Sequence, residues 1–278
     1  MKFILSNDDG ILAPGIQLLA AFLAAAGHSA VVVAPDRERS SIGHALTLNR
    51  PLYVREIAPG VYPESVRAFA CDGTPSDSVC VGLEEIVPEA EFVLSGINRG
   101  PNLGDDITYS GTVMAAMEGV ILGRPAMAVS LDCTSTTPVP HYETAAAVAL
   151  VLLDRLAECP LPPGILLNVN VPDLPLPALA GIRPTRQGVR SYRDKITRME
   201  DPHGRACYWI GGYPDDVLQE GTDVWAVAGG YASVTPVHLD LTSGEVLADL
   251  GRNGFGRLAP GDLARFLPGE LTKKPSTL

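Results

Sequence analysis

Cysteine is scarce in this chain, and what there is does not cluster. Cys71, Cys80, Cys133, Cys159 and Cys207 are an odd, scattered set without a C-x-x-C pair. That excludes a thiolate zinc site or dithiol redox centre at close spacing and points to buried thiols in a reducing compartment. Positive charge is also in deficit. A formal net charge of −11 argues against a long footprint on nucleic-acid phosphates, and a small anionic substrate would need its positive charge supplied locally. Long apolar runs are missing as well. Phe3-Ile4-Leu5 is too short for the apolar region of a signal peptide, and Ala145–Leu153, the longest run, is too short to span a bilayer. There is no internal repeat, and no G-x-G-x-x-G follows the first predicted strand, which excludes the usual dinucleotide fingerprint. These absences predict a cytoplasmic protein whose partners include neither membrane nor duplex nucleic acid.

What is present is a chain of 278 residues, 46% hydrophobic and 19% charged, enough for one main domain with appendages. Its first part alternates strand and helix signals. Lys2–Ser6 reads as a strand; Pro14 opens a helix whose apolar positions Ile16, Leu19, Ala20 and Leu23 recur until Gly27 stops it. Ala30–Ala34, Phe92–Ser95, Ala126–Leu131 and Ile165–Val171 read as further strands, and Ser76–Glu85, Thr112–Leu122 and Tyr142–Leu156 as helices. The alternation predicts an α/β fold in three layers, a mostly parallel Rossmann-like sheet with helices on both faces. After Pro172 the pattern changes: Arg183, Arg186, Arg190, Arg193, Lys195 and Arg198 decorate a stretch of little periodicity, followed by strand-like Ala206–Ile210 and Tyr231–Leu239. The expected organisation is a catalytic core over 1–180, a β-rich extension or oligomerisation arm over 181–241, and a loosely held tail over 242–278. The basic run is expected to be a solvated arm or subunit contact.

In an open parallel sheet, ligands collect at the carboxyl ends of the strands. Asn7-Asp8-Asp9-Gly10 follows the first strand, Pro35 to Gly43 the second, and Gly96 to Gly104 the Phe92–Ser95 strand. All three are polar, glycine-bearing loops on one sheet edge. Two adjacent carboxylates at the end of a buried strand repel each other and resist desolvation. A hard divalent cation removes both objections: Asp8 and Asp9 supply the charge, Ser40 and Asn98 neutral oxygens, and water and substrate the remaining positions. The competing use of the same residues is local, with Asn7 or Asp9 making an Asx turn or a helix cap.

The segment Gly104 to Ala115 offers a place for an anion, because Ser110-Gly111-Thr112 falls where a helix begins, with backbone N–H groups and two hydroxyls. Simple capping by Ser110 or Thr112 uses the same atoms. Asp105 and Asp106 are assigned to the turn, since on a phosphate they would add repulsion.

Four motifs occur in order: S-N-D-D-G-x-x-A-P-G over Ser6–Gly15, A-P-D-R-x-R-S over Ala34–Ser40, S-G-I-N-R-G-x-N-x-G over Ser95–Gly104 and Y-S-G-T-V-x-A-A-M-E-G over Tyr109–Gly119. With Asn168-Val169-Asn170-Val171-Pro172, Gly221-Thr222-Asp223 and Ser233-Val234-Thr235-Pro236, the chain resembles the survival protein SurE family of metal-dependent nucleotidases over roughly residues 1–240. The resemblance implies one divalent ion per subunit, Mg²⁺ or Mn²⁺ foremost and Co²⁺ as an alternative, held at Asp8, Asp9, Ser40 and Asn98. It implies phosphate held near Asn102, Ser110, Gly111 and Thr112. It further implies hydrolysis of nucleoside 5′- and 3′-monophosphates, short polyphosphate as an additional substrate, and a homodimer or homotetramer exchanging C-terminal elements. His44 departs from the small polar residues common in its loop and is expected to be solvated or packed. Two other readings stay open: a phosphatase with an aspartate nucleophile, whose two aspartates are usually one residue apart, and a nucleotide sensor without turnover.

Overall fold

Lys2–Ser6 forms β1, buried from Phe3 onward, and its side chains alternate between the two faces of the sheet. Phe3 and Leu5 pack on one side with Val32, Ile16, Leu19, Leu23, Tyr142, Ala145 and Leu153. Ile4 packs on the other with Val31, Val33, Val79, Leu83, Val113 and Val120. These are two separate apolar layers, as a sheet covered by helices on both faces requires. The structure, a computed structural model, describes residues 1–193 and 196–257.

In chain order the strands are β1, β2 (Ser29–Pro35), β3 (Val54–Glu56), β4 (Arg67–Cys71), β5 (Phe92–Arg99), β6 (Ala126–Asp132), β7 (Ile165–Pro172), β8 (Gly181–Pro184), β9 (Arg190–Arg193), β10 (Ile196–Glu200), β11 (Ala206–Ile210), β12 (Tyr213–Asp216) and β13 (Tyr231–His238). The helices are α1 (Pro14–Ala25), α2 (Pro75–Val81), α3 (Gly111–Ile121), α4 (Tyr142–Glu158), α5 (Asp223–Ala228) and α6 (Gly244–Arg252). α1 and α4 cover one face, α2 and α3 the other. Pro at the first turn starts α1 and α2, where a missing N–H costs nothing.

The main sheet runs β3-β4-β2-β1-β5-β6-β7-β13-β8. All pairs are parallel except β3 with β4 and β13 with β7. The α/β expectation therefore holds, with two antiparallel pairs added. Because β1 has β2 on one side and β5 on the other, the strand order reverses at β1, and the crevice at the carboxyl ends of β1 and β5 is the place where such sheets bind ligands.

Met1–Leu239 make one compact unit and the chain from Asp240 onward a second. Within the first, β10 pairs with β11 and β9 with β12 as two antiparallel ladders outside the main sheet. Ile196, Tyr208, Trp209 and Ile210 of these ladders are exposed. β13 returns to the main sheet between β7 and β8. In the second unit, the expected tail contains α6, capped by Ser243 Oγ accepting from Val246 N; residues 258–278 of that tail, and Lys195 of the basic run, lie outside the described residues. Among the described residues no helix is long and apolar enough to cross a membrane.

Candidate active site

The loop after β1 turns on Asn7, not on the aspartates. Asn7 Nδ2 donates to Gly10 O at 3.0 Å and Gly10 N donates back to Asn7 Oδ1 at 3.2 Å. α1 has Ala13 at its N-cap and no side-chain cap. The local use of this motif thus falls to Asn7, and both aspartates are free for another purpose.

Asp8 is 5% exposed and faces the start of α3. Thr112 donates its hydroxyl to Asp8 Oδ1, and its backbone N–H also meets the carboxylate. Gly111 lies so close that a Cβ there would fall 2.8 Å from Asp8 Cβ and 3.0 Å from Asp8 Oδ2. Glycine is required because the helix end and the carboxylate share that space. Burial raises the pKa of Asp8 above the ordinary carboxylate value, and the Thr112 hydrogen bonds offset part of the rise.

Asp9 accepts from Arg99 N at 2.9 Å through Oδ2, which ties the β1 loop to the end of β5. Its pKa is pushed up to about 6, first by burial and then by the neighbouring charge of Asp8, with Glu38 adding to it. Asn98, next to Arg99, donates Nδ2 to Gly100 O at 2.8 Å, and this leaves Oδ1 as the available oxygen. The loop after β2 also reaches this corner: Arg39 N donates to Asp8 O at 2.7 Å. Ser40 follows directly, but its Oγ donates to Glu38 Oε1 at 2.6 Å instead of turning to the aspartates. The three loops named from the sequence do converge, since Arg99 N ties the end of β5 to Asp9 and Arg39 N ties the loop after β2 to Asp8, while the Ser40 hydroxyl is turned to Glu38 and would need a rotamer change to face the aspartates.

Two desolvated carboxylates with raised pKa values, plus neutral amide and hydroxyl oxygens, match the donor chemistry of a hard divalent ion. Among the described residues no three His, Cys, Asp or Glu side chains group as a metal cluster. A cation here would therefore rest on two carboxylates and neutral oxygens, with open positions, as Mg²⁺-type sites do.

Ser110 caps α3, accepting from Val113 N at 3.0 Å. Its O–H remains a donor for an incoming anion, so capping and anion binding use different parts of one hydroxyl. Thr112, expected on the phosphate, has its side chain committed to Asp8. Asn102 is buried, with Nδ2 donating to Ser130 Oγ at 2.7 Å.

The surrounding frame was not anticipated. Asp223, fully buried, accepts from Gly104 N at 2.9 Å through Oδ2 and from Gly188 N at 2.7 Å through Oδ1. The signal for it, Gly-Thr-Asp, is visible in the sequence but its partner is not. Arg190 of the basic run is paired with Asp216 at 2.7 Å and Asp106 at 3.2 Å, and Tyr192 donates to Asp106 at 2.5 Å. Asp105 and Asp106 belong to the turn, as expected, with this basic strand as their counter-charge. His44 Nε2 pairs with Glu118 Oε2 on α3 at 2.7 Å, a packed histidine that anchors its loop.

Comparison with known proteins returns the family that the motifs resemble. The family model described as Survival protein SurE matches residues 3–194. A 5′-nucleotidase SurE of Thermosynechococcus vestitus is 48% identical over 256 residues, 90% of this chain and 95% of that protein. One of Geobacter metallireducens is 50% identical over 263 residues, 93% of this chain and 99% of that protein. The crystal structure of the SurE protein from Aquifex aeolicus superposes with a TM-score of 0.78 at 42% identity, covering 91% of this chain and 99% of the other. With a family model matching residues 3–194 and relatives about half identical over nine tenths of the chain or more, the chain belongs to the Survival protein SurE family.

Proposed function

We propose that this protein is a divalent-metal-dependent phosphomonoesterase that converts nucleoside 5′-monophosphates to nucleoside and phosphate, acting also on 3′-monophosphates and short polyphosphate. One observation carries the reading: Asp8 and Asp9 stand side by side, desolvated, Asp8 against the first turn of α3 and Asp9 tied to the end of β5, at the point where the strand order reverses. The names of the relatives from Thermosynechococcus vestitus and Geobacter metallireducens support 5′-nucleotidase activity.

Asp8, Asp9 and the Oδ1 of Asn98 would hold one Mg²⁺ or Mn²⁺ per subunit, Co²⁺ being an alternative, with Ser40 joining after its Oγ leaves Glu38. When bound, such an ion neutralises the carboxylates, polarises the phosphoryl group and lowers the pKa of water. The chain's own residues do the rest. The Gly111 N–H at the start of α3, the Ser110 hydroxyl and the Asn102 amide bind the phosphoryl oxygens and stabilise the charge that builds on them. Gly111 lets the Asp8 carboxylate pack against the helix start. Thr112 acts through Asp8, fixing its carboxylate. Asp8 or Asp9 would accept the proton of the attacking water.

We further infer a cytoplasmic homodimer or homotetramer; what supports association is the arm, whose ladders leave Trp209 68% and Ile210 85% exposed, an apolar surface that association would cover. The function is tested by phosphate release from a panel of nucleoside monophosphates after complete chelation, with Mg²⁺, Mn²⁺, Co²⁺ or Zn²⁺ restored separately. Release should vanish on chelation and return with the metal; activity that survives chelation overturns the reading.

A further inference from the structure

β7 sits in the middle of the sheet, between β6 and β13, where the sequence should be apolar throughout. Instead it reads I-L-L-N-V-N-V-P, and Asn168 and Asn170 are both fully buried. Spaced by two, they project from the same face. Burying amides is unfavourable unless their hydrogen bonds are made, and here nearly all of them are spent on one residue of the neighbouring loop. Asn170 Oδ1 accepts from Asn102 N at 2.7 Å and Asn170 Nδ2 donates to Asn102 O at 3.1 Å. Asn168 Nδ2 donates to the same carbonyl at 2.8 Å, while its own Oδ1 is buried and has no partner among the described residues.

Ser130 completes the arrangement. It lies between Asn98 on β5 and Asn170 on β7 in the ladder register, fully buried, and its Oγ meets the Asn102 side-chain amide. The Asn102 peptide is thus fixed by β7 and its side chain by β6. Asn102 Oδ1 has no hydrogen bond among the described residues. The dianion of a phosphomonoester offers only acceptors, so Asn102 must present Nδ2, not Oδ1, to bind it. A hydroxyl accommodates either orientation, accepting from Nδ2 or donating to Oδ1.

We propose that Ser130 is a positioning residue for the substrate phosphate: when the anion binds, its O–H donates to Asn102 Oδ1, turning the amide over so that Nδ2 donates to a phosphoryl oxygen, with Asn168 and Asn170 holding the Asn102 backbone still. This rests on the placing of phosphate at Asn102 given above. It adds two strands of the sheet core to the recognition of the anion without either touching it.

The test is a double-mutant cycle read by calorimetric binding of inorganic phosphate to the Mn²⁺-loaded full chain, beside kcat/KM for a nucleoside monophosphate. Ser130→Ala should weaken phosphate binding about tenfold, the size of one hydrogen bond to a charged group, and leave Mn²⁺ affinity within about twofold, because the aspartates are untouched. Ser130→Thr, which keeps the hydroxyl, should recover most of the loss. In an Asn102→Ala background, Ser130→Ala should have no further effect. A merely structural serine would instead lower the melting temperature and weaken metal and phosphate together, in either background; that pattern, or unaltered phosphate binding in Ser130→Ala, overturns the proposal. Wild-type protein that binds phosphate with these variant effects yet releases none from nucleotides would refute the nucleotidase reading and leave the positioning role standing.

Discussion

Gly111→Ala separates the function of this site from its stability. Gly111 is the first residue of α3, and alanine there favours the helix by about 0.5–1 kcal/mol. Against that, the new methyl would sit 2.8 Å from Asp8 Cβ and 3.0 Å from Asp8 Oδ2. Those atoms cannot retreat easily, since Thr112 holds the carboxylate and Asp8 is 5% exposed. Overpacking of this kind costs about 1–3 kcal/mol, so the net loss of stability is about 0–2.5 kcal/mol, or a fall of up to about 5–10 °C in melting temperature. Activity should suffer far more. Moving a ligand carboxylate by about 1 Å is enough to cost on the order of 100-fold in rate. The assay is differential scanning calorimetry of the chelated protein, Mn²⁺ binding by isothermal titration, and kcat/KM with a nucleoside monophosphate. A variant that melts within about 10 °C of the wild type while losing Mn²⁺ affinity and about 100-fold in kcat/KM fits the reasoning. Wild-type metal affinity and turnover would refute it.

Further predictions follow from the same corner. Asp9 has its pKa pushed up from 3.8 to about 6, so the folded, metal-free protein holds a proton that the unfolded chain releases; stability from this group is present at low pH and is lost as pH rises from about 4 to about 6. The amount is about 3 kcal/mol at most. Chelated Asp9→Asn should therefore be more stable than chelated wild type at pH 7 and match it near pH 4, as followed by urea denaturation, and the reverse order at pH 7 would contradict the assignment. His44→Ala leaves the Glu118 carboxylate, 5% exposed, without its partner, and should destabilise the protein by about 1–3 kcal/mol in the same measurement. Loss of stability below about 0.5 kcal/mol would mean that the pair is solvent-screened and does not anchor its loop.

Much of this architecture can be read directly from the residues. Pro14 and Gly27 bracket α1, Ser110 marks the start of α3, and the β-branched run at Val31–Val33 declares β2. Once these elements alternate, the rule that ligands gather at strand carboxyl ends brings Asp8, Asp9 and Asn98 to one crevice. β3 and β4 escape notice because V-R-E and R-A-F-A-C are short and owe their strand form to pairing with each other and with β2, a contact distant in sequence. β13 is legible as a strand, but its insertion antiparallel to β7 is not. Within the site, residue type is legible and rotamer is not. Ser40 turns to Glu38 and Thr112 to Asp8 because hydroxyls rotate to the strongest nearby acceptor, which depends on three-dimensional neighbours. The two asparagines in β7 are visible as polar residues in an apolar strand, yet only the structure pairs them with Asn102.

The claim beneath all of this is that Asp8 and Asp9 share one divalent cation. A titration of Mn²⁺ into the chelated protein, followed by electron paramagnetic resonance at pH 7, tests it without relying on turnover. One ion should bind per chain, and Asp8→Asn or Asp9→Asn should each weaken binding by at least about tenfold, the equivalent of one charge-assisted ligand contact. Undiminished stoichiometric binding in both variants would contradict the account.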